Sequence, residues 1–120
     1  MSEKLPGQPV TVDQAREAYQ QGDEAAFERW YHARLEEREG DRVAQFQLSV
    51  DVARIYYGAG DREKAKEAIS GVNVGIQEEL IELDRYGSSA YERPDKEEYR
   101  GKLKELLKHV TLLRNEFLRK

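Results

Sequence analysis

The chain contains no cysteine, which excludes disulfides and thiolate metal sites and agrees with a reducing compartment. Proline is confined to Pro6, Pro9 and Pro94, so the strongest helix breakers sit in the N-terminal stretch and in one late loop. No apolar run reaches the length of a membrane span, and the opening M-S-E-K-L-P-G-Q-P-V lacks the apolar segment of a secretory signal. A concentrated basic field is missing as well. The 20 Lys and Arg are outnumbered by 24 Asp and Glu, for a net charge of −4, which argues against binding a nucleic-acid backbone. The expectation is a cytoplasmic protein that engages neither membrane nor nucleic acid and needs no cofactor.

What is present points to helices. In 120 residues, 38% are apolar and 37% charged, enough for one domain with a narrow core under a charged surface. Good helix formers dominate and no stretch reads as a strand, so the fold class is all-α. Residues 1–10 are expected to form a flexible arm and residues 11–120 a single helical domain. Thr11 with Gln14 three residues on makes a capping box that opens the first helix, which closes at Gln21-Gly22. Asp23 caps a second helix carrying Phe27, Trp30, Tyr31 and Leu35 on one sector, with Arg34 and Arg38 beside them and His32 outside it. Asp41 caps a third, running to Tyr57-Gly58.

The third helix is apolar on two sides: Val43, Phe46, Val50, Ala53 and Tyr57 on one, Leu48, Val52, Ile55 and Tyr56 on the other. Such a helix is sandwiched between neighbours, and the strip it leaves uncovered carries Gln47, Asp51 and Arg54. A fourth helix starts at Asp61, with Ala65, Ala68, Ile69, Val72, Ile76, Leu80 and Leu83 in phase straight through S-G-V-N-V-G. One helix to Tyr86, straight or kinked, is expected over the rival reading of a break near Asn73, with Gly71 and Gly75 admitting the close approach of another helix. Gly87 to Pro94 reads as turns, and Asp95 with Glu98 caps a fifth, long C-terminal helix. Its stripe of Tyr99, Leu103, Leu106, Leu107, Val110, Leu113, Phe117 and Leu118 is complete enough to offer a homodimer interface.

Two helix-corner-helix units share a Gly-Asp corner with a Tyr three residues before the Gly, at Tyr19/Gly22 and at Tyr57/Gly60. The spacing between corners falls in the range of helical repeats. The second unit, A53-R-I-Y-Y-G-A-G-D-R-E-K-A-K-E-A-I69, resembles a tetratricopeptide repeat: Ala53 and Ala65 stand at its small positions, Tyr56 at the aromatic one, Gly60-Asp61 at the corner and Ile69 at the large one. It lacks the family's early Trp and has Gln77 in place of the closing Pro. The first unit matches only at its corner and Tyr19. The resemblance implies an antiparallel helical-hairpin array of about five helices, with the last as a cap. It also implies a peptide-binding groove lined by the first helix of each pair: Asp13, Arg16 and Gln20, then Gln47, Asp51 and Arg54. The function expected is a protein- or peptide-binding adaptor, chaperone or regulator, with Arg16 and Arg54 holding carboxylates and Gln20 and Gln47 bonding peptide backbone.

Catalytic groups are scarce. His32 lies one turn from Glu28 and Glu36, and His109 one turn from Glu105, but neither imidazole sits on an apolar stripe. The run E78-E-L-I-E82 followed by E92-R-P-D95 resembles the EExxE…ExxD carboxylates of all-α nucleotide pyrophosphohydrolases of the MazG type. That resemblance implies Mg²⁺ held against phosphates. The gap between its halves is short for that family, and Pro94 draws the second half out of a helix. A structural homodimer and this hydrolase are the two alternatives to a peptide binder.

Overall fold

The computed structural model describes residues 9–90 and 96–119. They form five helices, α1 (Val12–Gln20), α2 (Glu24–Glu37), α3 (Arg42–Gly58), α4 (Arg62–Ala90) and α5 (Lys96–Leu118), and no strand is found among them. Each of the first three helices starts where a short polar side chain can take an orphan backbone N–H. The Thr11 hydroxyl accepts from Gln14 N while the Gln14 amide oxygen accepts from Thr11 N. The Asp23 and Asp41 carboxylates accept from Ala26 N and Ala44 N.

The two Gly-Asp corners are the same structure. Gly22 and Gly60 sit at φ of 82° and 89°, in the left-handed region open to glycine. Asp23 N donates to Ala18 O and Gly22 N to Tyr19 O. Asp61 N donates to Tyr56 O and Gly60 N to Tyr57 O, the same six-to-one and five-to-two closure of a helix end. Each corner tyrosine then reaches forward to the next element. Tyr19 lies 5.3 Å from the Phe27 ring and 5.2 Å from that of Tyr56, and its hydroxyl donates to Asp61 at 2.8 Å. Burial first, and the Asp61 carboxylate second, push that hydroxyl above its ordinary pKa, so it stays a donor at neutral pH. Tyr57 stacks on Phe117 with ring centres 4.2 Å apart.

Among the described residues, packing runs only between near neighbours in the chain: α1 on α2 and α3, α2 on α3, α3 on α4 and α5, α4 on α5. This is the contact pattern of a helical array rather than a closed bundle. The contacts also set directions. Gln20 meets Gly58, while Arg54 meets His109 and Tyr57 meets Phe117, so α1, α3 and α5 run parallel. Helices α2 and α4 run the other way, in a second layer. The result is a slab with extents of 48 × 45 × 16 Å.

Helix α3 is buried on two sides, as its pattern requires. On one, Phe46, Val50 and Ala53 meet Ala65, Ile69, Val72 and Ile76 of α4 and Leu103, Val110 and Phe117 of α5. On the other, Leu48, Val52 and Ile55 meet Ala15 of α1 and Phe27 and Trp30 of α2. Ala53 and Ala65 are fully buried, so the antiparallel helices α3 and α4 close on small residues there.

Helix α4 is continuous through S-G-V-N-V-G and extends past Tyr86 to Ala90, so the first part of the expected turn at Gly87 to Pro94 is helical. Gly, Ser and Ala each cost a helix about 1 kcal/mol or less, too little to stop one already running. The rest of that turn and the Asp95 cap lie outside the described residues, as do residues 1–8 of the arm. Its end is anchored: Pro9 is buried and Val10 O accepts from Arg34 at 3.0 Å.

The two mid-helix glycines prove unlike. A Cβ on Gly75 would stand 3.0 Å from Phe46 Cε1, so Gly75 does admit a neighbour, the Phe46 ring. A Cβ on Gly71 would meet nothing within 4 Å, so close approach does not explain that residue. Gly71→Ala should therefore stabilise the protein by about 0.5–1 kcal/mol. Gly75→Ala should gain nothing or lose stability, because Phe46 is buried under the Arg42 guanidinium, 4.5 Å above its ring. Urea midpoints of the two variants would show the opposite signs.

The surplus face expected on α5 is largely used within the chain, since Phe117 is buried and Leu113 packs against the core. The large apolar residues α5 exposes are Leu112 and Leu118.

Candidate functional site

The six groove residues expected from sequence fall into two groups. Asp13 and Arg16 pair with each other on α1 at 3.0 Å, both solvated, a contact worth well under 1 kcal/mol. The stem of Arg16 lies over Gly58, where a Cβ would come 3.1 Å from its Cδ. The Gln20 amide donates to Gly58 O at 3.3 Å. These α1 residues thus tie the first row helix to the C-terminal end of the second.

Gln47, Asp51 and Arg54 do recur at helical spacing along α3, and α5 stands opposite Gln47 and meets Arg54. Arg54 Nη2 lies 3.0 Å from His109 Nε2. A guanidinium has only donors, so Nε2 accepts and the imidazole proton sits on Nδ1. Asp51 is half-buried beside Arg38 and Arg54. Burial raises its pKa, and the two guanidinium groups only partly oppose this.

Toward the N-terminus of α3 the helices diverge and leave a groove of about 1170 Å³, lined by Arg42, Val43 and Gln47 on one side and Glu98, Lys102, Glu105 and His109 on the other. Both signs of charge are present. Lys102 stands 3.7 Å from Glu98, and Arg42 reaches Glu79 at 3.8 Å. Mixed charge with amide groups suits a peptide backbone and its side chains better than a run of phosphates. Comparison with models of known families, with curated proteins and with solved structures gives no match. Function has to be read from this geometry.

The α5 wall was not expected. Its signal was nonetheless in the sequence, since Glu98, Lys102, Glu105 and His109 recur at helical spacing beside the apolar stripe. What the sequence could not show is that α5 runs parallel to α3 and faces its strip.

A second concavity, of about 570 Å³, opens on the other layer, between α2 and α4 and over α3. Its apolar lining includes Phe27, Tyr31, Phe46, Val52 and Tyr56, and Gly71 leaves one wall without a side chain. His32, unremarkable in sequence, lies on its rim and is exposed.

Of the carboxylates that suggested a Mg²⁺ site, Glu79 has partners within the fold. Glu79 accepts from the Tyr99 hydroxyl at 2.6 Å and lies near Arg42, while Glu92 and Asp95 fall outside the described residues. Among the described residues no three His, Cys, Asp or Glu side chains come together as metal ligands.

The raised Asp51 pKa has a sign that can be checked. The native state holds that proton more tightly than the unfolded chain, so the residue's contribution to stability falls as pH rises above 3.8, the ordinary aspartate value, and through the raised native one. Asp51→Asn should match the parent in acid and be the more stable protein at neutral pH. Denaturant titrations across that range would show the gap opening with pH.

Proposed function

We propose that the chain is a peptide-binding module, with the groove between α3 and α5 as its binding surface. The observation that carries this reading is the parallel placement of α3 and α5, which sets Gln47 opposite Lys102 and Glu105 and brings Arg54 to His109. Along α5, from Glu98 to His109, the groove follows roughly 16 Å of helix, the reach of about five extended residues. Gln47 can bond a peptide backbone through both ends of its amide. Arg54, exposed and near both His109 and Asp51, can turn to a carboxylate side chain or C-terminus. The likeness of Ala53–Ile69 to a tetratricopeptide repeat supports the same use of the row helices. By this reading Arg16 and Gln20 position α1 and extend the surface rather than form its centre.

The test is capture of a peptide partner by wild type and by Arg54→Ala. The variant should keep its helical circular dichroism and its melting temperature, because Arg54 is solvent-exposed, and should lose the partner by about tenfold or more in affinity. Equal capture by the folded variant would remove the groove from the account.

A further inference from the structure

We propose that the cleft between α2 and α4 docks a short basic amphipathic helix from a partner protein. This site lies on the opposite layer from the α3–α5 groove and goes beyond the reading above.

Its shape comes from the array. Helices α2 and α4 both pack on α3 and not on each other, which leaves a trough bounded by two helices and floored by a third. A trough of that kind accepts a helix laid along it by its apolar face. Its volume of about 570 Å³ leaves room for several side chains of an occupant. Phe27, Phe46 and Val52 give an apolar floor, and the half-buried Tyr31 and Tyr56 add aromatic area that is still accessible.

Gly71 supplies a separate observation. It sits inside a helix, where glycine costs roughly 1 kcal/mol relative to alanine, yet nothing in the fold occupies the space its missing side chain leaves. The space it keeps open is the cleft. An occupant of the cleft could therefore approach the α4 backbone at Gly71 more closely than at any residue with a side chain.

The charge of the occupant follows from the walls. Glu28 on α2 and Glu67 on α4 line opposite sides, both exposed, and the lining holds no Lys or Arg. Lys64, at the corner end of the cleft, sits over the Tyr19 and Tyr56 rings at 5.8 and 5.7 Å, so the carboxylates away from that end set the charge an occupant meets. A helix with apolar residues on one face and Lys or Arg flanking them would bury that face on the aromatics and meet a carboxylate on each side. An acidic helix would meet repulsion on both.

The probe is a fluorophore-labelled synthetic helix of Leu and Lys with one apolar face, titrated with the full chain and read by anisotropy, beside a Leu and Glu helix of the same pattern. Saturable binding of the basic helix alone is expected. Gly71→Leu, at an exposed position where a Cβ meets nothing, should put a side chain into the cleft and weaken binding by about tenfold or more while leaving the chain folded. The surface pair Glu28→Gln with Glu67→Gln should weaken it by about threefold or more and flatten its salt dependence. Arg54→Ala should leave it unchanged, which separates this site from the α3–α5 groove. Absence of saturable binding, equal binding of the acidic helix, or indifference to Gly71→Leu and to the paired glutamines would overturn the proposal. So would self-association of the chain abolished by Gly71→Leu, which would make a second copy the occupant.

Discussion

Phe117→Ala is expected to cost about 3–5 kcal/mol, the usual loss when a fully packed aromatic is truncated in a core that cannot collapse around the gap. Phe117 is 2% exposed and lies flat on Tyr57, in the cluster that α3, α4 and α5 build together. The residue is three from the end of the chain, where a fraying helix would make its loss harmless. A large cost would show that α5 is part of the core and not a detachable cover. It would also disturb the groove, because His109 and Lys102 are held in place by the same helix. Urea denaturation followed by circular dichroism reads the loss directly, and a cost below about 1 kcal/mol would mean that the end of α5 is not docked.

Trp30→Ala should cost a similar amount, about 3–5 kcal/mol, but in a different way. Trp30 is 2% exposed and stacks near Phe27 at 5.9 Å, within the cluster that joins α1 and α2 to α3. That cluster shares only α3 with the one around Phe117. In an array held by nearest-neighbour contacts, damage to one end can release that end alone. The α1–α2 hairpin should therefore melt before α3–α5, giving a transition that broadens or splits, while the Phe117 variant loosens the other end. Trp30→Phe should be far milder, because the indole Nε1 finds no acceptor among the described residues and its removal sacrifices no hydrogen bond. Hydrogen exchange resolved by residue would separate the two ends.

The parts of this fold that could be read from sequence are those decided by neighbours along the chain. Thr11 with Gln14, Asp23 and Asp41 make caps because their side chains reach N–H groups three residues on, and Gly22 and Gly60 turn because a left-handed residue is needed there. The two-sided burial of α3 followed from its apolar pattern. What sequence could not separate is anything set by the register between helices. Gly71 and Gly75 look alike in a string of letters, yet Phe46 stands opposite only one of them. The Gln47, Asp51 and Arg54 strip was visible, but its partner wall on α5 depends on α5 running parallel to α3. The cleft between α2 and α4 is less legible still, since it exists because two helices fail to meet.

The groove can be tested most directly by titrating a ¹⁵N-labelled chain with a peptide selected for binding from a random library and following its amide and arginine side-chain resonances. The account predicts that shifts concentrate on Gln47, Asp51 and Arg54 of α3 and on Lys102 and His109 of α5, and that they vanish in Arg54→Ala. Shifts spread over other surfaces with those residues silent, or unchanged binding in the variant, would contradict it.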